Sequence, residues 1–215
     1  ADRSGLRIPP TLMSNDADQI LSFMTEFDRV IYKPYFPEHW DEQANVRYTF
    51  AREVSSNDIV DPAALQFCPG IFQPLIEKDY EVRLTIMGHE AIAARIDIPE
   101  PGEARIDWRV SHVTQEDMQL SPCTLPEDVK AGCLEMMSET RSVFGCFDFI
   151  VDKEGHWYFL EVNPMGQFLW VELMCPEIPM LDAFCNFLVA GRADFVLAEH
   201  RSLDGSSALD IFGDE

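Results

Sequence analysis

Behind a Ser-Asn-Asp run at 14–16, apolar residues fall at Ile20, Leu21, Met24 and Phe27, the three- and four-residue spacing of a capped amphipathic helix over Ser14 to Phe27. A strand from Arg29 to Tyr35 follows and carries Lys33 just ahead of Pro34; a second strand, Val46 to Val54, comes after a polar turn at His39 to Gln43. Asn57 to Gln66 reads as a short helix, and Gly70 to Glu77 as an extended connector, since Pro74 has no ladder donor and favours a sheet edge or crossover. Three strand-like stretches come next, Tyr80 to Met87, Glu90 to Ile98 and Arg105 to Val110, broken at Gly88 and at Pro99 to Gly102, which implies an antiparallel sheet. Pro126 opens a second helix, with Val129, Cys133, Met136, Met137, Thr140 and Phe144 on one face and Gly145 at its end. Cys146 to Val151 and Trp157 to Pro164 form a hairpin around Asp152-Lys153-Glu154-Gly155, where the glycine supplies a positive φ. Met180 to Val189 is helical again after Pro179, and Ser202 to Glu215 has the polar, acidic composition of a disordered tail.

Composition narrows the class. A chain of 215 residues, 47% hydrophobic, buries a full core, and one α+β domain of two lobes suits this length. The division expected is a small lobe over 1–70, a large lobe over 71–200 and an acidic tail over 201–215. No apolar run reaches the roughly 18 residues of a membrane span, and Ala1 to Pro10 lacks a secretory signal core, so the default setting is the cytoplasm without membrane association. Cys68, Cys123, Cys133, Cys146, Cys175 and Cys185 form no C-x-x-C pair and read as reduced, buried thiols. A net charge of -22 disfavours nucleic acid, whose binding needs clustered Lys and Arg. The acidity is either a solvated surface or the counterpart of a cationic partner segment. Any anionic ligand must be met locally, by arginines or by the four lysines Lys33, Lys78, Lys130 and Lys153.

The hairpin carries the chemistry. Glu161 and Asn163, two apart on a strand, leave the same face, and antiparallel pairing about the turn sets Asp148 opposite or diagonal to Glu161. Two carboxylates and an amide oxygen, with no Cys or His ligands, suit magnesium better than zinc, and magnesium usually completes its octahedron with nucleotide oxygens. The same alternation also fits the wet face of an ordinary half-buried hairpin. The five histidines show neither ligand spacing nor a nucleophile partner.

IYKP (31–34), IFQPLIEKDYEVR (71–83), DWR (107–109), FDFIV (147–151) and FLEVNP (159–164), in that order, resemble the ATP-grasp superfamily over roughly residues 5–189. Within it the chain is similar to the microviridin-type or graspetide peptide ligases and, more distantly, to the protein glutamate ligases. The resemblance implies two α+β lobes with antiparallel sheets that hold ATP between them, with magnesium on Asp148, Glu161 and Asn163. It further implies that Lys33 reaches the phosphates and that Gln73, Pro74, Leu75 and Ile76 hydrogen-bond adenine through their backbone. Glu81 would hold the ribose, and Arg83 and Arg109 would act as catalytic cations near the transferred phosphoryl group. The implied reaction is ATP-dependent ligation through an acyl phosphate, crosslinking side chains of a precursor peptide as lactone or lactam. The alternatives are addition of an amino acid to a protein or small-molecule carboxylate, and a non-catalytic peptide-binding module. A homodimer is open as the assembly. The usual N-terminal domain of the superfamily is expected to be absent, and Tyr35 to Gln43 lacks the glycines of a phosphate-covering lid.

Overall fold

The computed structural model describes the chain except residues 36–38, 43–44, 99–105, 108–117, 204, 206 and 213–215, with backbone alone at 2, 39–42, 45–48 and 212. The strands are β1 (Leu12–Ser14), β2 (Val30–Pro34), β3 (His39–Glu42), β4 (Asn45–Tyr48), β5 (Arg52–Val54), β6 (Gly70–Pro74), β7 (Lys78–Met87), β8 (Glu90–Asp97), β9 (Gln119–Cys123), β10 (Phe144–Asp152) and β11 (Trp157–Asn163). The helices are α1 (Ala17–Glu26), α2 (Glu127–Thr140), α3 (Leu169–Met174), α4 (Met180–Ala190), α5 (Leu197–His200) and α6 (Ala208–Phe212). No described helix is long and apolar enough to cross a membrane.

Two compact units result. The smaller comprises 9–77 and 98–118; the larger comprises 1–8, 78–97 and 119–215. Against the expected break at residue 70, the chain stays in the smaller unit through Glu77, because β6 pairs with β2 and Leu75 N–H donates to the Arg29 carbonyl at 2.9 Å. Residues 1–8 join the larger unit, where the Arg7 carbonyl accepts from Phe159 N–H at 2.8 Å.

In the smaller unit a four-stranded antiparallel sheet runs β1-β6-β2-β5. Asp16 caps α1 by accepting from Gln19 N–H at 2.9 Å, and Ile20 packs with Val30 and Phe72. The connector is therefore an interior strand. Its proline is tolerated because β1 pairs only with Gly70, Ile71 and Phe72, so at Pro74 one flank has no ladder to serve. His39–Glu42, expected as a turn, forms a two-stranded sheet with Asn45–Tyr48, and the strand expected over 46–54 is thereby divided into β4 and β5. The helix expected over 57–66 is two short 3-10 segments, Ser56–Asp58 and Pro62–Phe67.

The larger unit holds a five-stranded sheet in the order β11-β10-β7-β8-β9. One face packs Val82, Leu84, Ile86, Phe147, Phe149, Val151 and Phe159 against Val129, Cys133 and Met137 of α2. The other packs Met87, Ala94 and Cys146 against α3 and α4. Helix α2 stops earlier than its apolar spacing implies. Arg141 takes a left-handed conformation (φ 55°) and Ser142 N–H donates back to the Met137 carbonyl at 2.9 Å, which frees Phe144 and Gly145 to begin β10. The strand expected at Arg105 to Val110 lies outside the described residues apart from Ile106 and Asp107; on the side of β8 away from β7 the described partner is β9. Part of the expected tail is ordered: α6 is anchored by Ala208, which is fully buried. The thiols are free as expected, but Cys68 is exposed beside an 89% exposed Phe67, and Cys123 and Cys185 are half-buried, leaving Cys133, Cys146 and Cys175 as the buried ones.

Candidate functional site

Strand β7 sorts its residues by face. Val82, Leu84 and Ile86 enter the α2 core, so Glu81, Arg83 and Thr85 point to the opposite side. Register then sets Arg83 across from Asp148, Thr85 across from Cys146 and Glu81 across from Ile150 on β10. On the other flank Asp148 faces Glu161 and Cys146 faces Asn163. The three expected metal ligands thus share one face of adjacent strands.

A bulge makes this possible. Near the turn, Val151 pairs with Trp157, Ile150 with Tyr158 and Phe149 with Phe159; past it Asp148 pairs with Glu161, leaving Leu160 unpaired. Trp157 and Phe159 face the α2 core, and uninterrupted alternation would send Glu161 and Asn163 there too. The extra residue reverses the phase, so Val162 enters the core and Glu161 and Asn163 join Asp148.

Asp148 is buried, and both its oxygens accept from Arg83 Nη1, at 2.9 and 2.8 Å. Arg83 Nη2 donates to the carbonyls of Gly166 and Gln167 at 2.7 and 3.1 Å. Burial opposes the charge of this guanidinium, but Asp148, and more weakly Glu161, raise its pKa further, so Arg83 stays charged. The loop it holds is unusual: Gly166 and Gln167 both have positive φ, 86° and 61°. Asn163 Oδ1 accepts from Met165 N–H at 3.1 Å, which aims its carboxamide. Glu161 is exposed. This oxygen set fits a hard cation: an ionised carboxylate offers about four lone-pair sites, so Asp148 keeps acceptor capacity beyond Arg83, and Glu161 brings a second carboxylate. Cys146 shares the face, but burial raises its thiol pKa and its Sγ lies 3.5 Å from Thr85 Oγ1, so it adds no thiolate.

Glu81 is buried and forms an ion pair with buried Lys78, a pairing that the sequence alone does not reveal. In the smaller unit Lys33 sits on β2 opposite Ile71. Gln73 is buried; its Nε2 donates to Thr11 Oγ1 at 2.9 Å, while its Oε1 is buried without a partner among the described residues, an acceptor suited to an amino donor such as that of adenine. Pro74 ends β6, Leu75 N–H is taken by Arg29, and Ile76 is half-buried beyond them. Of the DWR segment only Asp107 is described, buried and accepting from Ala51 N–H at 3.1 Å; Arg109 lies outside the described residues.

Sequence spacing missed another acidic group, Asp152, Glu154 and His156, at the hairpin turn. Asp152 Oδ1 accepts from Glu154 and His156 N–H at 3.0 and 2.8 Å, and Oδ2 lies 3.0 Å from His156 Nδ1, so this carboxylate fixes the turn.

No family model matches the chain. A D-alanine–D-alanine ligase of Dechloromonas aromatica (strain RCB) is 26% identical over 166 residues, 74% of this chain and 53% of the ligase. Among solved structures, the macrocyclase MdnC of Microcystis aeruginosa MRC, bound with precursor peptide MdnA, superposes with a TM-score of 0.76 at 31% identity, covering 89% of this chain and 59% of MdnC. A RiPP-associated ATP-grasp ligase of Chryseobacterium gregarium, in complex with ADP and a leader and core peptide, gives 0.74 at 28% identity over 83% of this chain and 57% of the ligase. The chain spans between half and three fifths of the length of each of these relatives. The chain therefore has the ATP-grasp fold and, within that superfamily, resembles the RiPP-associated ligases and macrocyclases.

Proposed function

We propose that the chain is the ATP-binding, catalytic part of an ADP-forming carboxylate ligase that crosslinks side chains of a precursor peptide. The observation that carries this reading is the single sheet face on which Arg83, Asp148, Glu161 and Asn163 meet, in a fold similar to MdnC. A carboxylate is a poor acyl donor; transfer of the γ-phosphoryl group of ATP to it gives an acyl phosphate, and attack by an amine or hydroxyl then forms amide or ester and releases phosphate. Magnesium, when bound by Asp148, Glu161 and Asn163, supplies neutralisation of phosphate charge.

The chain's own residues prepare that chemistry. Arg83 holds Asp148 ionised and oriented and ties it to the Gly166–Gln167 turn, so in this reading it acts first on the metal-site carboxylate. Glu161, open to solvent, is the carboxylate that would be accessible to an incoming cation. Glu81 takes the ribose hydroxyls, its charge held by Lys78. Lys33 serves the phosphates, the Gln73–Ile76 segment the adenine, and Arg109 the acyl phosphate. Reduced thiols throughout agree with a cytoplasmic setting.

Titration calorimetry of the intact chain with ADP, with and without magnesium, tests the reading: magnesium-dependent binding is expected, and its absence sinks the proposal. Mass spectrometry of a peptide substrate then decides the product. Loss of one water marks crosslinking. A net gain in mass marks addition of an amino acid, the second reading, which the similarity to a D-alanine–D-alanine ligase favours.

A further inference from the structure

Arg29, the residue before β2, is used twice. Its carbonyl accepts from Leu75 N–H at 2.9 Å. Its guanidinium holds two carboxylates at once: Nε and Nη2 donate to the two oxygens of Glu53 on β5, at 2.9 and 2.8 Å, and Nη1 donates to Glu77. Glu77 is the last residue of the smaller unit before the chain leaves it, and 75–77 lie beyond the end of β6. This short segment is therefore gripped at its first residue by a main-chain bond and at its third by a side chain. The three charged side chains are between 40 and 59% exposed, and exposed ion pairs add little to fold stability. A planar fork that takes one carboxylate with two nitrogens and another with the third instead fixes direction.

What the fork directs is the edge of β6 on the other side. Leu75 N–H turns towards Arg29, so the alternation of an antiparallel ladder turns the main-chain groups of Pro74 and Ile76 to the opposite flank. On that flank β1 pairs only with Gly70, Ile71 and Phe72, and the Pro74 carbonyl has no strand to meet. Ile76 N–H makes no main-chain bond among the described residues. A carbonyl and, two residues on, an N–H offer an acceptor beside a donor, the complement of a base that carries an amino group next to a ring nitrogen. The two groups line up with such an edge only while 74–76 stays extended. Beyond β6 no ladder keeps it so, and the grip of Arg29 does.

We propose that Arg29 is a positioning residue for the nucleobase: by holding Leu75 and Glu77 from one flank, it sets the free main-chain groups of 74–76 on the other in the line an adenine edge requires. The inference rests on the nucleotide reading above and adds to it a residue that itself touches no nucleotide. Titration calorimetry of the full chain with magnesium and ADP, and with magnesium and GDP, is run on the parent, Arg29→Met and Glu77→Gln. GDP keeps the ribose and phosphates but presents the reversed order of donor and acceptor. The parent is expected to prefer ADP. In both variants ADP should bind about tenfold more weakly, because the segment must be ordered at the moment of binding, while GDP affinity and the melting temperature stay as in the parent. Arg29→Lys, which keeps the charge but not the fork, should fall between parent and Arg29→Met. Unchanged ADP affinity in the variants, equal losses for ADP and GDP, or a parent that binds the two alike would overturn the positioning role and leave the nucleotide site standing. A parent that binds neither overturns both.

Discussion

The two carboxylates of the proposed metal set sit in opposite environments, and that contrast separates chemistry from stability. Asp148 is buried against Arg83, whereas Glu161 is exposed. Asp148→Asn leaves a guanidinium buried without its counter-charge, which costs on the order of 3–5 kcal/mol, so this variant should lose fold stability together with nucleotide binding. Glu161→Gln should unfold within about 0.5 kcal/mol of the parent in urea and still lose magnesium-dependent ADP binding. Equal stability losses in the two would contradict the geometry. The alternation of Glu161 and Asn163 was legible as a pair; the grip of Arg83 on Asp148 was not, because it depends on the register between β7 and β10, which no local spacing encodes. A residue-scale pH effect belongs to Asp152. Burial works against its charge, but the N–H groups of His156 and Glu154 and the His156 ring outweigh it, and its carboxyl titrates below the ordinary range. A depressed folded pKa means the stabilisation is present above the unfolded value of about 3.9 and is lost as pH falls through the folded one. The stability gap between the parent and Asp152→Asn should therefore be full at neutral pH and close in acid; a gap that does not change with pH would rule this out.

At the scale of elements, the decisive feature is one unpaired residue. The hairpin itself follows from its strand-turn-strand pattern, and of the two placements open for Asp148, opposite or diagonal to Glu161, the structure takes the first. Two one-residue offsets lie behind that agreement: the last strand pair, Val151 with Trp157, encloses the five residues 152–156, and the bulge at Leu160 then restores the phase. Gly155 announces the turn but not its length, and no glycine or proline marks the bulge at Leu160. Substitutions can read the phase directly. Continuing the alternation from Phe159 would bury residue 161 and expose 162, whereas the bulge does the reverse. Val162→Asp should destabilise by roughly 2–3 kcal/mol in urea unfolding, and Glu161→Ala by less than about 0.5. The opposite order would mean that Leu160 is paired and that the metal face is wrongly assigned. The early end of α2 was hidden for a related reason: the 3.6-residue spacing runs on through Phe144, but the left-handed Arg141 stops the helix one turn sooner.

For the whole molecule, sequence reasoning found two lobes with antiparallel sheets but not what holds the end of the chain to the larger unit. Composition makes 201–215 read as a disordered tail, since its acidic and small residues bury little apolar area. The structure ties it down through polar groups placed far upstream. Asn186, fully buried, accepts from Ser202 and Leu203 N–H at 2.7 and 2.8 Å and donates to the Leu203 carbonyl at 3.2 Å. Buried Asp182 meets Arg201 at 2.8 Å. Glu172 on α3, only 2% exposed, accepts from Leu181 N–H, the Ser207 hydroxyl and Ala208 N–H at 2.8, 2.8 and 2.7 Å. One carboxylate thus joins α3 to the starts of α4 and α6, and α3 begins just after the Gly166–Gln167 turn that Arg83 holds. Glu172→Gln keeps the volume but turns one acceptor into a donor that faces N–H and O–H groups already donating. Leaving such groups unsatisfied in a buried place costs roughly 1–3 kcal/mol. The expected outcome is a lower melting temperature together with faster proteolytic cleavage between Ser202 and Ala208, because α6 loses its anchor while Asn186 and Asp182 still hold the stretch before it. Cleavage as slow as in the parent would show that apolar contacts alone, through Ala208, retain the segment.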